Sequence, residues 1–187
     1  GVAMGITGTE VSKDAADMVL TDDNFSSIEA AVVEGRGVFD NLTKFIVWTL
    51  PTNLGEGLVI MAAIFFGVTL PILPVQILWI NMVTAVTLGL SLAFEPSEGN
   101  VMQRPPRSPQ EPLLNQFLSW RIVFISSLVV MGTLGLFLWD RYIGETLEMA
   151  RTTAVNTLIF FQIFYLFNAR YLKAPVLTRE GVTGNPA

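Results

Sequence analysis

From Phe45 to Phe94 the chain carries a single ionisable side chain, Glu56, in a run of 50 residues. No soluble core helix needs so long a stretch without charge. A helix crosses about 30 Å of hydrocarbon with about 20 apolar residues, so this run is long enough for two passes. Two further uncharged stretches, Ile122 to Trp139 and Thr152 to Ala169, are each long enough for one. With 51% hydrophobic and only 14% charged residues, the chain is predicted to be an all-α membrane bundle of four transmembrane helices, with the lipid bilayer as its surroundings.

The residue types that are missing narrow the chemistry. There is no cysteine and no histidine, which removes disulfides, thiolate or imidazole metal sites and a histidine proton relay. An ion held here is held by oxygen. The net charge of −5 gives no support for nucleic-acid binding, and no nucleophile is paired with a base. No cleavable signal peptide is visible.

Residues 1–25 form a soluble α/β segment, with a glycine-rich turn at Gly1, Gly5 and Gly8, a helix from Glu10 to Met18 and an apolar piece from Met18 to Leu20. It is too short to fold alone. Ser26-Ser27-Ile28-Glu29 has the pattern of a capping box, and no strong terminator follows until Gly67, Pro71 and Pro74. One helix of about 40 residues, about 60 Å long, is therefore expected, with 26–44 as a stalk and 45–67 as the first span. Gly35 and Gly37 weaken the stalk, and Pro51 is expected to kink the span. The later spans are 75–94, 117–139 and 151–168, separated by a Pro-rich loop at 95–116 and a polar turn from Asp140 to Ala150. A polar tail occupies 169–187.

Basic residues near span ends orient a membrane protein. Arg36, Lys44, Arg104, Arg107, Arg121, Arg170, Lys173 and Arg179 fall on one side, Arg141 and Arg151 on the other. Both termini are expected in the cytoplasm of a multi-pass protein.

Glu56 is the first candidate for chemistry, because a carboxyl group at membrane depth costs about 2.5 to 3.5 kcal/mol and persists with a partner or a purpose. Asn53 lies one helical turn before it, and in the second span Asn81 and Thr84 share a face in the same way. Pro51 cannot donate to Val47, which is expected to leave that carbonyl free for a hard cation. Amides and hydroxyls also join membrane helices for about 1 kcal/mol or less, a reading that stays open for Asn53, Asn81 and Thr84 taken singly and is the expectation for Gln162 and Asn168. The cluster Phe160, Phe161, Phe164, Tyr165 and Phe167 is expected to face lipid and neighbouring helices.

Several stretches resemble one family, the type II P-type ATPases that include the calcium pumps. GVAMGITGTEVSKDAADMVLTDDNFSSI resembles the end of the family's phosphorylation domain, PTNLGEG its fifth membrane helix, PVQILWINMVT its sixth, and MQRPPRSPQEPL the cytoplasmic loop that follows. The resemblance implies that residues 1–25 are a remnant of a HAD-like phosphorylation domain. It implies that Asn53, Glu56, Asn81 and Thr84 bind the transported cation, and it makes Gln162 an additional candidate. Ala85 and Gln162 stand where calcium pumps have an aspartate and a glutamate. The ion is therefore left open among calcium, sodium, potassium and a proton.

The resemblance further implies that an ATP γ-phosphoryl group passes to an aspartate and is then hydrolysed, with Mg²⁺ and ATP bound by the missing N-terminal part of the same pump. Pro51, Arg104 and Arg107 are then coupling residues, and a bacterial plasma membrane is the expected location. The fragment alone is not expected to hydrolyse ATP. The alternative is an ATP-independent four-helix membrane protein, a regulatory subunit or passive pathway, derived from such a pump.

Overall fold

The computed structural model describes residues 1–96, 101–108 and 113–170. Of the expected tail, residues 171–187, with Lys173 and Arg179, lie outside the described residues, while Ala169 ends the last helix and Arg170 is buried. The chain divides into two units, Gly1–Asp40 with Ser97–Pro106, and Asn41–Pro96 with Arg107–Ala187.

In the first unit, strand β1 (Val2–Met4) pairs in parallel with β2 (Met18–Leu20), Val2 opposite Met18 and Met4 opposite Leu20. Parallel strands need a crossover, supplied by helix α1 (Glu10–Ala15), whose N-cap Thr9 accepts from the Ser12 amide at 3.2 Å. The helix stops three residues short of the expected Met18. Ala16 is already extended, because the next residues are committed to the strand pair. Gly5 and Gly8 are required by close approach: a Cβ would stand 2.6 Å from the Leu20 carbonyl at Gly5 and 2.1 Å from the Met4 carbonyl at Gly8. Two three-residue strands alone make a marginal sheet.

Asp23 takes a left-handed backbone, φ 51°, which aspartate tolerates better than most residues. Its carboxylate accepts from the amides of Ile6 and Thr7, both at 2.8 Å, and from the Thr7 hydroxyl at 2.7 Å. These donors, the Ile6 amide foremost, hold its pKa below the usual aspartate value.

Helix α2 (Ser26–Phe65) is a single element of 40 residues. Its start corrects the expected capping box. The Ser26 hydroxyl donates to Asn24 Oδ1 at 2.6 Å and the Ser27 hydroxyl to Asp22 Oδ2 at 2.6 Å. Asn24 Oδ1 also accepts from the Ser26 amide at 3.1 Å, so acceptors upstream of the serines organise the first turn. The Ser27 bond is the main cause that lowers the Asp22 pKa. Arg36 donates to the carbonyls of Val101 and Arg104, and Arg104 pairs with Asp40 at 2.6 Å. The Pro-rich segment is thus tied to the stalk within this unit.

In the second unit, the remainder of α2 is followed by α3 (Pro74–Thr84), a π-helical segment at Ala85–Gly89 and α4 (Leu90–Ala93), which together form one apolar helix, and then by α5 (Gln116–Tyr142) and α6 (Leu147–Ala169). Pro74 opens α3 where its missing N–H costs nothing, while the Leu73 amide donates to Gln76 Oε1 at 2.8 Å. The expected polar turn from Asp140 to Ala150 shrinks to residues 143–146, because Gly144 (φ +90°) turns the chain and Thr146 caps α6 by accepting from the Met149 amide. All four helices are long and apolar enough to cross a membrane.

One core cluster joins Val59, Ile72, Val129, Phe137, Ala150, Ala154 and Leu158. A second joins Trp48, Leu92, Tyr165, Leu166 and Ala169. Gly55 lets α5 approach so closely that a Cβ there would sit 2.7 Å from Val129 Cγ1, the use membrane helices make of small residues. Met61, Ile64, Val75, Leu78, Phe160 and Phe164 are more than half exposed, an apolar surface suited to lipid or to further helices.

Candidate cation site

Glu56, only 2% exposed, lies in the second unit. Its Oε2 accepts from Asn81 Nδ2 at 2.9 Å and its Oε1 from Gln162 Nε2 at 2.8 Å. Three helices therefore converge on one carboxylate: α2 supplies the acid, and α3 and α6 supply one amide each. Among the described residues, no group of three or more Asp, Glu, His or Cys side chains could hold a metal ion. The carboxylate is surrounded by neutral polar groups instead.

The Gln162 amide donates through nitrogen while its Oε1, also buried, has no hydrogen-bond partner among the described residues. A buried acceptor left over beside a carboxylate is the kind of group that a cation satisfies. Rotating the amides of Asn81 and Gln162 would turn two carbonyl oxygens toward the same point. The oxygen donors present thus fit a hard cation bound as substrate, with one negative charge.

The other sequence candidates are placed differently. The Thr84 hydroxyl is buried and donates to the Ile80 carbonyl of its own helix at 2.9 Å. Asn53 is exposed. Helical spacing puts it one turn from Glu56, but the structure does not bring it into the hydrogen-bonded cluster. Gln162, read from the sequence as helix glue and made an additional candidate by the family resemblance, is in direct contact with the acid. Immediately after Thr84 the helix becomes π-helical, from Ala85 to Gly89. Such bulges often mark functional sites, and nothing in the residue pattern announces this one.

Pro51 sits inside α2 without ending it, and the surroundings explain why. The Val47 carbonyl, expected to be free, accepts from the Tyr165 hydroxyl at 3.0 Å. The Pro51 carbonyl accepts from the Ser126 hydroxyl at 3.0 Å, and Trp48 Nε1 donates to the Gln162 carbonyl at 3.1 Å. A freed carbonyl in an apolar interior costs several kcal/mol unless a donor reaches it. Tyr165 meets that requirement; of the aromatic cluster expected to face lipid and neighbouring helices it is a packed member, 5% exposed, with the Arg121 guanidinium 5.4 Å from its ring centroid. The signal available in the sequence was Pro51 itself, since a buried proline calls for a donor from another helix.

The two ends of this unit are held by polar contacts. At one, Arg151 Nε donates to the Leu70 carbonyl at 3.2 Å. At the other, Asn41 Nδ2 donates to the carbonyls of Ala93 and Glu95, and Arg170 forms a buried pair with Glu95, with N–O distances of 2.9 to 3.2 Å.

Comparison with known proteins decides the family. Residues 69–187 match the model of the cation transporting ATPase C-terminus. The chain belongs to the cation-transporting ATPase family. It is similar to the probable cation-transporting ATPase F of Mycobacterium tuberculosis, 64% identical over 172 residues, covering 92% of this chain and 19% of that protein. It is also similar to the cation-transporting ATPase pma1 of Synechocystis, 43% identical over the same shares of both chains. With the calcium-transporting ATPase of Bacillus subtilis it is 40% identical over 171 residues, 91% of this chain and 19% of the relative. The chain thus spans about a fifth of the length of these relatives. With its four apolar helices, it is membrane part of a cation-transporting P-type ATPase.

Proposed function

We propose that this segment supplies half of the membrane cation site of an ATP-driven pump, with Glu56 as its one carboxylate and Asn81, Gln162, Thr84 and Asn53 as neutral oxygen donors. The observation that carries the reading is the convergence of Asn81 and Gln162 on Glu56 at 2.9 and 2.8 Å. Both amides donate to the carboxylate. When the cation arrives, the amides rotate and their oxygens join the carboxylate around it. One negative charge suits a single monovalent or divalent ion, or a proton carried on Glu56.

Helix α2 is the coupling lever. Its unbroken course from Ser26 to Phe65 includes both the stalk turn that pairs Asp40 with Arg104 and the site residue Glu56. ATP, Mg²⁺ and the phosphorylated aspartate belong to the part of the pump outside this chain, which is also its main partner. Residues 1–25 are its phosphorylation-domain remnant, HAD-like in the full pump. Both termini face the cytoplasm of a bacterial plasma membrane.

The test measures ATP hydrolysis and transport by the full-length protein with calcium, sodium, potassium, magnesium and protons, beside Glu56→Gln. One ion is expected to stimulate the wild type, and the variant is expected to lose that stimulation. Normal transport by Glu56→Gln would sink the assignment.

A further inference from the structure

We propose that Tyr165 is a positioning residue of the cation site: its hydroxyl replaces the helix hydrogen bond that Pro51 denies to Val47, and so fixes α6 against α2 where Gln162 meets Glu56. The inference rests on the site reading above and adds to it the residue that sets the site's geometry. Residue 51 is the position whose amide would bond the Val47 carbonyl in an unbroken helix, and proline has none. Val47 is 0% exposed, so bulk water does not reach its carbonyl. The Tyr165 hydroxyl does, at 3.0 Å.

Gln162 and Tyr165 are three residues apart on α6 and therefore share a face. That face makes three hydrogen bonds to α2, through the Tyr165 hydroxyl, the Gln162 carbonyl and the Gln162 amide nitrogen. The first two engage the backbone of Val47 and the indole of Trp48, both anchored in the core. Only the third touches the carboxylate. The phenol is itself held in place, since Arg121 lies over its ring and also donates to the Asn168 carbonyl and side chain. The hydroxyl adds a third directional contact to the two that Gln162 makes with α2.

The test is a double-mutant cycle in the full-length protein. Tyr165→Phe keeps the ring and its packing but removes the donor. Its unfolding midpoint in detergent is expected to fall. The half-saturating concentration of the stimulating cation, titrated separately with calcium, sodium and potassium, is expected to rise roughly three- to tenfold, the worth of one hydrogen bond, with the maximal rate little changed. Pro51→Ala restores an amide to the Val47 carbonyl, so Tyr165→Phe in that background is expected to change neither quantity further. Equal effects in both backgrounds would show that the hydroxyl does not act through the freed carbonyl. An inert Tyr165→Phe beside an inactive Glu56→Gln overturns this inference alone, whereas an active Glu56→Gln, or stimulation by none of calcium, sodium, potassium, magnesium and protons, overturns the site reading and this inference with it.

Discussion

Gly55 and Gly57 lie two residues apart on α2, and adding one methyl group to each is expected to have opposite effects. At Gly55 the new Cβ would stand 2.7 Å from Val129 Cγ1 and 2.9 Å from Val129 Cβ, roughly 0.6 to 0.8 Å inside ordinary carbon contact. Val129 is 1% exposed and β-branched, so it has no rotamer into which it can withdraw. The helices α2 and α5 must separate. Overpacking of this kind costs about 1 to 3 kcal/mol, against which alanine returns up to about 1 kcal/mol of helix propensity. At Gly57 nothing lies within 4 Å of the added atom, and only the propensity gain remains.

For the 187-residue chain in detergent, the net cost of up to about 2 kcal/mol is expected to lower the melting temperature of Gly55→Ala by up to about 8 °C, at about 2 to 4 °C per kcal/mol. Gly57→Ala is expected to leave it unchanged or raise it by up to about 4 °C. Helical circular dichroism followed against temperature reads both. A Gly55→Ala chain that melts at or above the wild type, or two variants that cannot be told apart, would refute the claim that close approach of α5 requires this glycine.

Two further outcomes are expected. Removing one partner of the buried Glu95–Arg170 pair, as Arg170→Met or Glu95→Gln, leaves a buried charge and should cost about 3 to 5 kcal/mol, with part recovered by the double exchange Glu95→Arg with Arg170→Glu; a loss of about 1 kcal/mol or less in chemical denaturation would mean that the pair behaves as a surface contact. Charge reversal at Arg104 and Arg107 places a carboxylate beside Asp40 and should depress both ATP hydrolysis and transport in the full-length protein, and unchanged rates would sink the coupling role of the loop.

The membrane class, the four spans and the long first helix were legible because each depends on a local property. A helix that crosses hydrocarbon satisfies its own backbone and needs only length and apolarity, and both are properties of a contiguous stretch. Glu56 was legible for the same reason, since an isolated carboxyl group in such a stretch is conspicuous without knowledge of its neighbours.

Partnership was not legible, because it depends on which residues far apart in sequence share a depth. Helical spacing placed Asn53 beside Glu56, yet the structure leaves Asn53 exposed and brings Gln162, 106 residues from the acid, to 2.8 Å. Pro51 implied an orphan carbonyl, but only packing could name Tyr165 as the group that satisfies it. The sequence by itself determined that Glu56 sits in apolar surroundings; the tertiary structure decided that two amides hold it. Burial follows from the composition of one segment, whereas a hydrogen bond between helices requires that several segments agree on register.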